Sequence, residues 1–227
     1  MDEILLQWPW LGLVLGVLGL AFLFVSFLRR RSDDRFSVLV WMPLFIYMLH
    51  QFEEHGIDLF GNHYAFLAFF CEFLGFPGEQ ISHCPADPAF IFAVNVGTVW
   101  IAGLISGFFG VKKPLLTGTM IGAIAINGLV HILNLIKLGH YNPGLATGVV
   151  LFLPFSMLSY RFMMKGRLLN GKQLFGCLFG GVIIHAVLLG SLLAKERGFI
   201  DEPMLLGIQI LNGFMPFAIS GAFGSRS

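Results

Sequence analysis

Long apolar runs, broken by short polar stretches, divide this chain into seven segments. Each approaches or exceeds the ~18 residues that a membrane-crossing helix needs. The first is Trp8 to Leu28. The second starts near Phe36 and runs into MLHQFEEHG, Met48 to Gly56. The third is Pro88 to Gly110, the fourth Pro114 to Ile136 and the fifth Gly144 to about Tyr160. The sixth is Leu174 to Ala194, and the seventh runs from Pro203 to about Gly221. Pro88, Pro114 and Pro203 stand at span starts, where a helix loses nothing by lacking an N–H. His63 to Phe76 is apolar but too short to cross, which predicts a re-entrant or interfacial helix between spans two and three. The pattern predicts an all-α, polytopic transmembrane helix bundle of about seven spans, forming one transmembrane domain over residues 1–227 without internal repeats.

Composition agrees and excludes a soluble domain. Charged residues make up 12% of the chain, hydrophobic ones 56%, and the mean hydropathy is +0.81, whereas soluble domains carry roughly 25% charged residues. The first run follows acidic residues and ends in Arg29, Arg30 and Arg31, so it reads as a retained helix and not a cleaved leader. The net charge of +1 gives no footing for nucleic acid, and membrane lipids are the expected partners.

Lysine and arginine set the expected orientation. With the N-terminus outside, the cytoplasmic side receives eleven: Arg29, Arg30, Arg31, Arg35, Lys112, Lys113, Arg161, Lys165, Arg167, Lys172 and Arg226. The outer side keeps three: Lys137, Lys195 and Arg197. That asymmetry predicts an outer N-terminus and a cytoplasmic C-terminus. Cys71 and Cys84 share one outer loop and either pair there or remain free. Cys177 lies in an apolar run as a packing residue.

Polar residues inside the spans carry the candidate chemistry. His50, Glu53 and Glu54 fall within one ~100° helical sector near the outer end of span two. Asn127, His131 and Asn134 form an i, i+4, i+7 stripe near the outer end of span four. Asn95, His185, Gln209 and Asn212 point to the same half of the bilayer from spans three, six and seven. Ionisable groups at such depth are costly and usually face a cavity that has a function. Taken singly, the asparagines read as interhelical packing groups, His185 as either ligand or structural group, and His55, His63 and His83 as solvated loop residues.

Two or three imidazoles with carboxylates suit one divalent metal, zinc first, manganese or iron otherwise. His50 and Glu54 at i, i+4 reach one ion, with His131 and His185 as further ligands. Either glutamate serves as ligand and the other as base. The catalytic pair in this reading is Glu53 with Tyr141, and Asn95, Asn127, Asn134 and Asn212 support it. The expected activity is metal-dependent hydrolysis of a lipid or amphipathic substrate. The alternatives are a proton-coupled transporter or a metal-free acid/base lipid isomerase using the same His/Glu pair, and a di-iron oxidase, which needs more carboxylates than these spans supply.

HQFEE (His50 to Glu54), NGLVH (Asn127 to His131) and YNPG (Tyr141 to Gly144) resemble, in order and spacing, the three signature motifs of the HXXEE-motif membrane proteins. The resemblance covers about residues 40 to 160. It implies a multi-pass, mainly bacterial protein, hence an inner-membrane location. It nominates His50, Glu53, Glu54, Asn127, His131, Tyr141, Pro143 and Gly144, and it implies no reaction.

Overall fold

The computed structural model describes residues 2–30 and 34–224; Arg31 and Arg226 of the charge pattern lie outside them. The chain is helical almost throughout, with no named strand among the described residues. In chain order the elements are α1 (Asp2–Arg29), α2 (Phe36–His55), α3 (Ala65–Phe73), α4 (Pro88–Phe109), α5 (Pro114–Leu138), α6 (Leu145–Lys165), α7 (Gly171–Glu196), α8 (Glu202–Asn212) and α9 (Met215–Phe223). Six of these helices are long and apolar enough to cross a membrane, and a seventh if α8 and α9 count together. The seventh predicted span is therefore broken, with a 48° bend between α8 and α9. The predicted short helix is α3, nine residues long. Cys71 at its end is disulfide-bonded to Cys84, while Cys177 is free and buried.

Close helix approach is built on small residues. On α1, Gly16 and Gly19 face α2: a Cβ on Gly19 would stand 2.5 Å from the Phe45 ring. Between α5 and α7, a Cβ on Gly122 would stand 2.2 Å from the Cys177 carbonyl, and one on Gly181 would stand 2.5 Å from that of Gly122. Backbones at such range gain the dispersion contacts that hold helices together where water supplies no drive. Below this contact the bundle closes over a core that includes Val40, Leu116, Met120, Phe152, Met163 and Cys177.

Helix starts carry their caps. Asp87 accepts from Phe90 N at 2.8 Å, Asp201 from Met204 N at 3.0 Å, and Asn170 forms a reciprocal box with Gln173. Lys195 near the end of α7 contacts Glu202 and Asp87, tying the starts of α8 and α4 to that end of the bundle. Two helices contain widened turns with i→i+5 bonding, Ala93–Trp100 in α4 and Gly148–Phe152 in α6. Both border the polar cluster described next.

Candidate functional site

The C-terminal ends of α2 and α5 and the first turn of α6 meet around Glu54. Its Oε1 lies 3.4 Å from His50 Nε2 and 3.2 Å from His131 Nε2, and its Oε2 lies 3.4 Å from His55 Nε2. All four residues are buried, His50 completely. The rings of His50 and His131 are 5.0 Å apart, so the two motif histidines share one site.

Hydrogen bonds behind each ring fix where its proton sits. Asn142 Nδ2 donates to the His131 carbonyl at 3.0 Å, which turns Asn142 Oδ1 towards His131 Nδ1 at 2.6 Å. An amide oxygen only accepts, so Nδ1 of His131 carries the proton. Thr147 donates its hydroxyl proton to Glu53 Oε2 at 2.5 Å and therefore accepts from His50 Nδ1 at 2.7 Å. Asn95 Nδ2 donates to the Ile91 carbonyl at 2.9 Å and to His55 Nε2 at 3.1 Å. Its Oδ1 accepts from Gln51 at 2.9 Å, and Gln51 Oε1 accepts the Trp100 indole N–H at 2.8 Å. In their neutral forms all three rings thus turn an unprotonated Nε2 towards Glu54.

Such a knot of acceptors repels itself unless a cation or a proton joins it. His50, Glu54 and His131 each place one ligand atom within 4.8 Å of the others and could hold a metal ion. The rings of His50 and His131 each donate the other N–H to a fixed oxygen, as a histidine that held a metal would need.

Glu53 is arranged differently. It accepts from Tyr141 Oη at 2.7 Å, Ala146 N at 3.0 Å, Thr147 N at 2.7 Å and Thr147 Oγ1 at 2.5 Å. A carboxylate has about four acceptor sites, and all are used. The carboxylate also sits against the N-terminus of α6, whose free N–H groups point at it. Glu53 is therefore not free as a general base; it fixes Thr147, and through Thr147 the ring of His50. Tyr141 holds Glu53 while accepting from Leu59 N at 3.2 Å. Burial pushes its phenol well above the ordinary range, so it remains a donor. Gly144, at φ +91°, lets the chain pass directly over the site: a Cβ there would stand 2.8 Å from Glu54 Cγ.

A cavity of about 140 Å³ adjoins Glu54, His55 and His131. Asn95, Asn127, Asn134 and His185 lie on its wall. Phe66, Phe69, Phe70 and Phe73 of α3 line it too. His185 stands apart from the three-residue ligand group; its Nδ1 donates to the Gly181 carbonyl at 2.8 Å. Asn212 is absent from the wall and instead donates to the Ile184 carbonyl at 3.0 Å, joining α8 to α7.

Sequence reasoning missed Gln51, His55, Asn142 and Thr147. His55 was expected to be solvated, yet it is 7% exposed because α2 continues through it to the cap at Gly56; His63 and His83 are exposed. Asn142 was readable as the second letter of YNPG. Thr147 and Gln51 carry no signal beyond their proximity to motif residues. A family model described as "Protein of unknown function with HXXEE motif" matches residues 41–159, just over half of the chain. No curated protein and no solved structure matches it.

Proposed function

The chain belongs to the HXXEE-motif family of proteins of unknown function, and we propose that this member is a multi-pass membrane metalloenzyme that hydrolyses a lipid or similarly amphipathic substrate. One observation carries the reading: two imidazole nitrogens and a carboxylate oxygen converge, and each ring is braced from behind. His50 Nε2, His131 Nε2 and Glu54 Oε1 would be the ligands. Zinc suits this donor set first, and manganese and iron accept the same atoms. A zinc ion so held lowers the pKa of bound water towards neutrality.

The protein's own groups do the rest. Glu54 is the only carboxylate on the wall of the cavity among the described residues, so its Oε2 is the nearest proton acceptor for a water beside Oε1. Glu53, Tyr141, Thr147 and Asn142 position the ligands. The cavity's mostly apolar wall suits an acyl chain. A transporter would need a second route to the site. The cavity wall reaches no deeper than Ala102 and Met120, below which the bundle is packed. A di-iron centre lacks carboxylates here. In the proposed topology the site faces the outer side of a bacterial inner membrane. The lysine and arginine asymmetry and the Cys71–Cys84 disulfide, which belongs in an oxidising compartment, both support that orientation.

Elemental analysis of the purified protein beside a His50→Ala/His131→Ala variant tests the metal. Near-stoichiometric zinc, manganese or iron, lost in the variant, is the expected result. Absence of metal from both samples would leave the acid/base alternatives in its place.

A further inference from the structure

We infer that the cavity selects an uncharged lipid whose head carries hydrogen-bond donors, of the acylglycerol kind, and that Asn127 and His185 recognise that head. The inference rests on the proposed function only for the bond that is broken; the recognition itself is independent of metal.

The argument begins with what the wall lacks. Among the described residues, no lysine or arginine lines the cavity, and its only titratable side chains besides Tyr47 are Glu54, His55, His131 and His185. A carboxylate or phosphate head would be desolvated there beside Glu54 with no side-chain cation to meet it. An uncharged head avoids that cost.

The wall also holds two acceptors without donors. His185 gives its Nδ1 proton to the Gly181 carbonyl, so its Nε2 offers a lone pair. Asn127 Oδ1 is buried and accepts no hydrogen bond among the described residues, while the Tyr47 hydroxyl lies against the same amide. The two come level because α5 and α7 run parallel in tight register: Gly118 meets Cys177 and Gly122 meets Gly181. Asn127 lies five residues beyond Gly122, and His185 four beyond Gly181. Together they form a ledge about 6 Å along α5 from His131, four residues at ~1.5 Å each. A hydroxyl-bearing head on this ledge satisfies both acceptors and sets its linkage at the level of His131. Its chain then lies against the phenylalanines of α3.

The test uses the full-length protein in detergent, stripped of metal by a chelator so that no turnover intervenes. Binding of 1-monooleoylglycerol, methyl oleate and oleate, which share one acyl chain, is compared by native mass spectrometry. Monooleoylglycerol should bind about tenfold tighter than either, the scale of one or two hydrogen bonds. Asn127→Leu and His185→Phe, singly and together, should erase that preference while leaving methyl oleate binding unchanged. Oleate binding as tightly as monooleoylglycerol would overturn the inference, as would variants that keep the preference. If a variant fails to fold, the ranking by the unaltered protein decides alone. A preference for monooleoylglycerol in a protein that never binds metal would sink the hydrolase and leave this inference standing. Bound metal without the preference would do the reverse.

Discussion

Gly144 lies directly on His131: a Cβ added at Gly144 would stand 2.6 Å from His131 Cε1 and 2.9 Å from its Nε2. The left-handed backbone there adds roughly 1–2 kcal/mol of strain for any L side chain. Gly144→Ala should therefore displace the His131 ring even where the bundle still folds. Metal content should fall to background with helicity retained, measured by elemental analysis and circular dichroism. Full metal content in this variant would contradict the geometry of the turn.

The two adjacent glutamates should respond differently to the same change. Glu54→Gln replaces a ligand and should abolish stoichiometric metal. Glu53→Gln disturbs only the brace behind His50 and should weaken metal affinity by about 10–100-fold. Competition against a chelator of known affinity separates the two. Equal losses would mean that both carboxylates ligate.

The sequence made the fold legible because span length and apolar character depend on the bilayer alone, and each predicted run corresponds to a helix or a bent pair. The site was legible as far as helical phase reaches. His50 and Glu54 share a face, and His131 sits at matching depth. What phase could not tell was the division of labour between Glu53 and Glu54, which depends on where the N-terminus of α6 lands. His55 was misread because a residue next to a cap glycine looks terminal, although Asn95 and Trp8 pack around it. Asn212 was assigned to the site because depth was known and azimuth was not.

Tyr141 supplies a prediction in pH. Burial raises its phenol above the ordinary value of ~10 in the folded state, so its contribution to stability is complete below the unfolded value and is lost as pH rises through the folded one. Tyr141→Phe should lower the melting temperature at neutral pH by removing one hydrogen bond to Glu53, about 1 kcal/mol. The gap from the unaltered protein should narrow above pH ~10. A gap that widens with pH would reverse the sign and exclude the phenol as donor.

Topology and disulfide are tested together. In cells, Cys71 and Cys84 should resist maleimide labelling until a reductant is added, whereas a reporter fused at the N-terminus should report the outer compartment. A cytoplasmic N-terminus would put the Glu54 site on the other side of the membrane and sink the orientation.

The widened turns in α4 and α6 bear on how such a gene can change. Each holds one residue more than regular α-helical winding needs. Losing a codon from 148–152 would let that stretch wind as regular α-helix with the residues beyond it keeping their faces, whereas losing one from the regular turn that follows would swing everything beyond by about 100° relative to Thr147. Phe155, buried in the core, and the turn that grips Glu53 could no longer both be in place. A lineage carrying this protein is therefore freer to exchange letters along the regular turns of α6 than to gain or lose one there, and a homologue whose α6 is one residue shorter should be one in which the widened turn has gone.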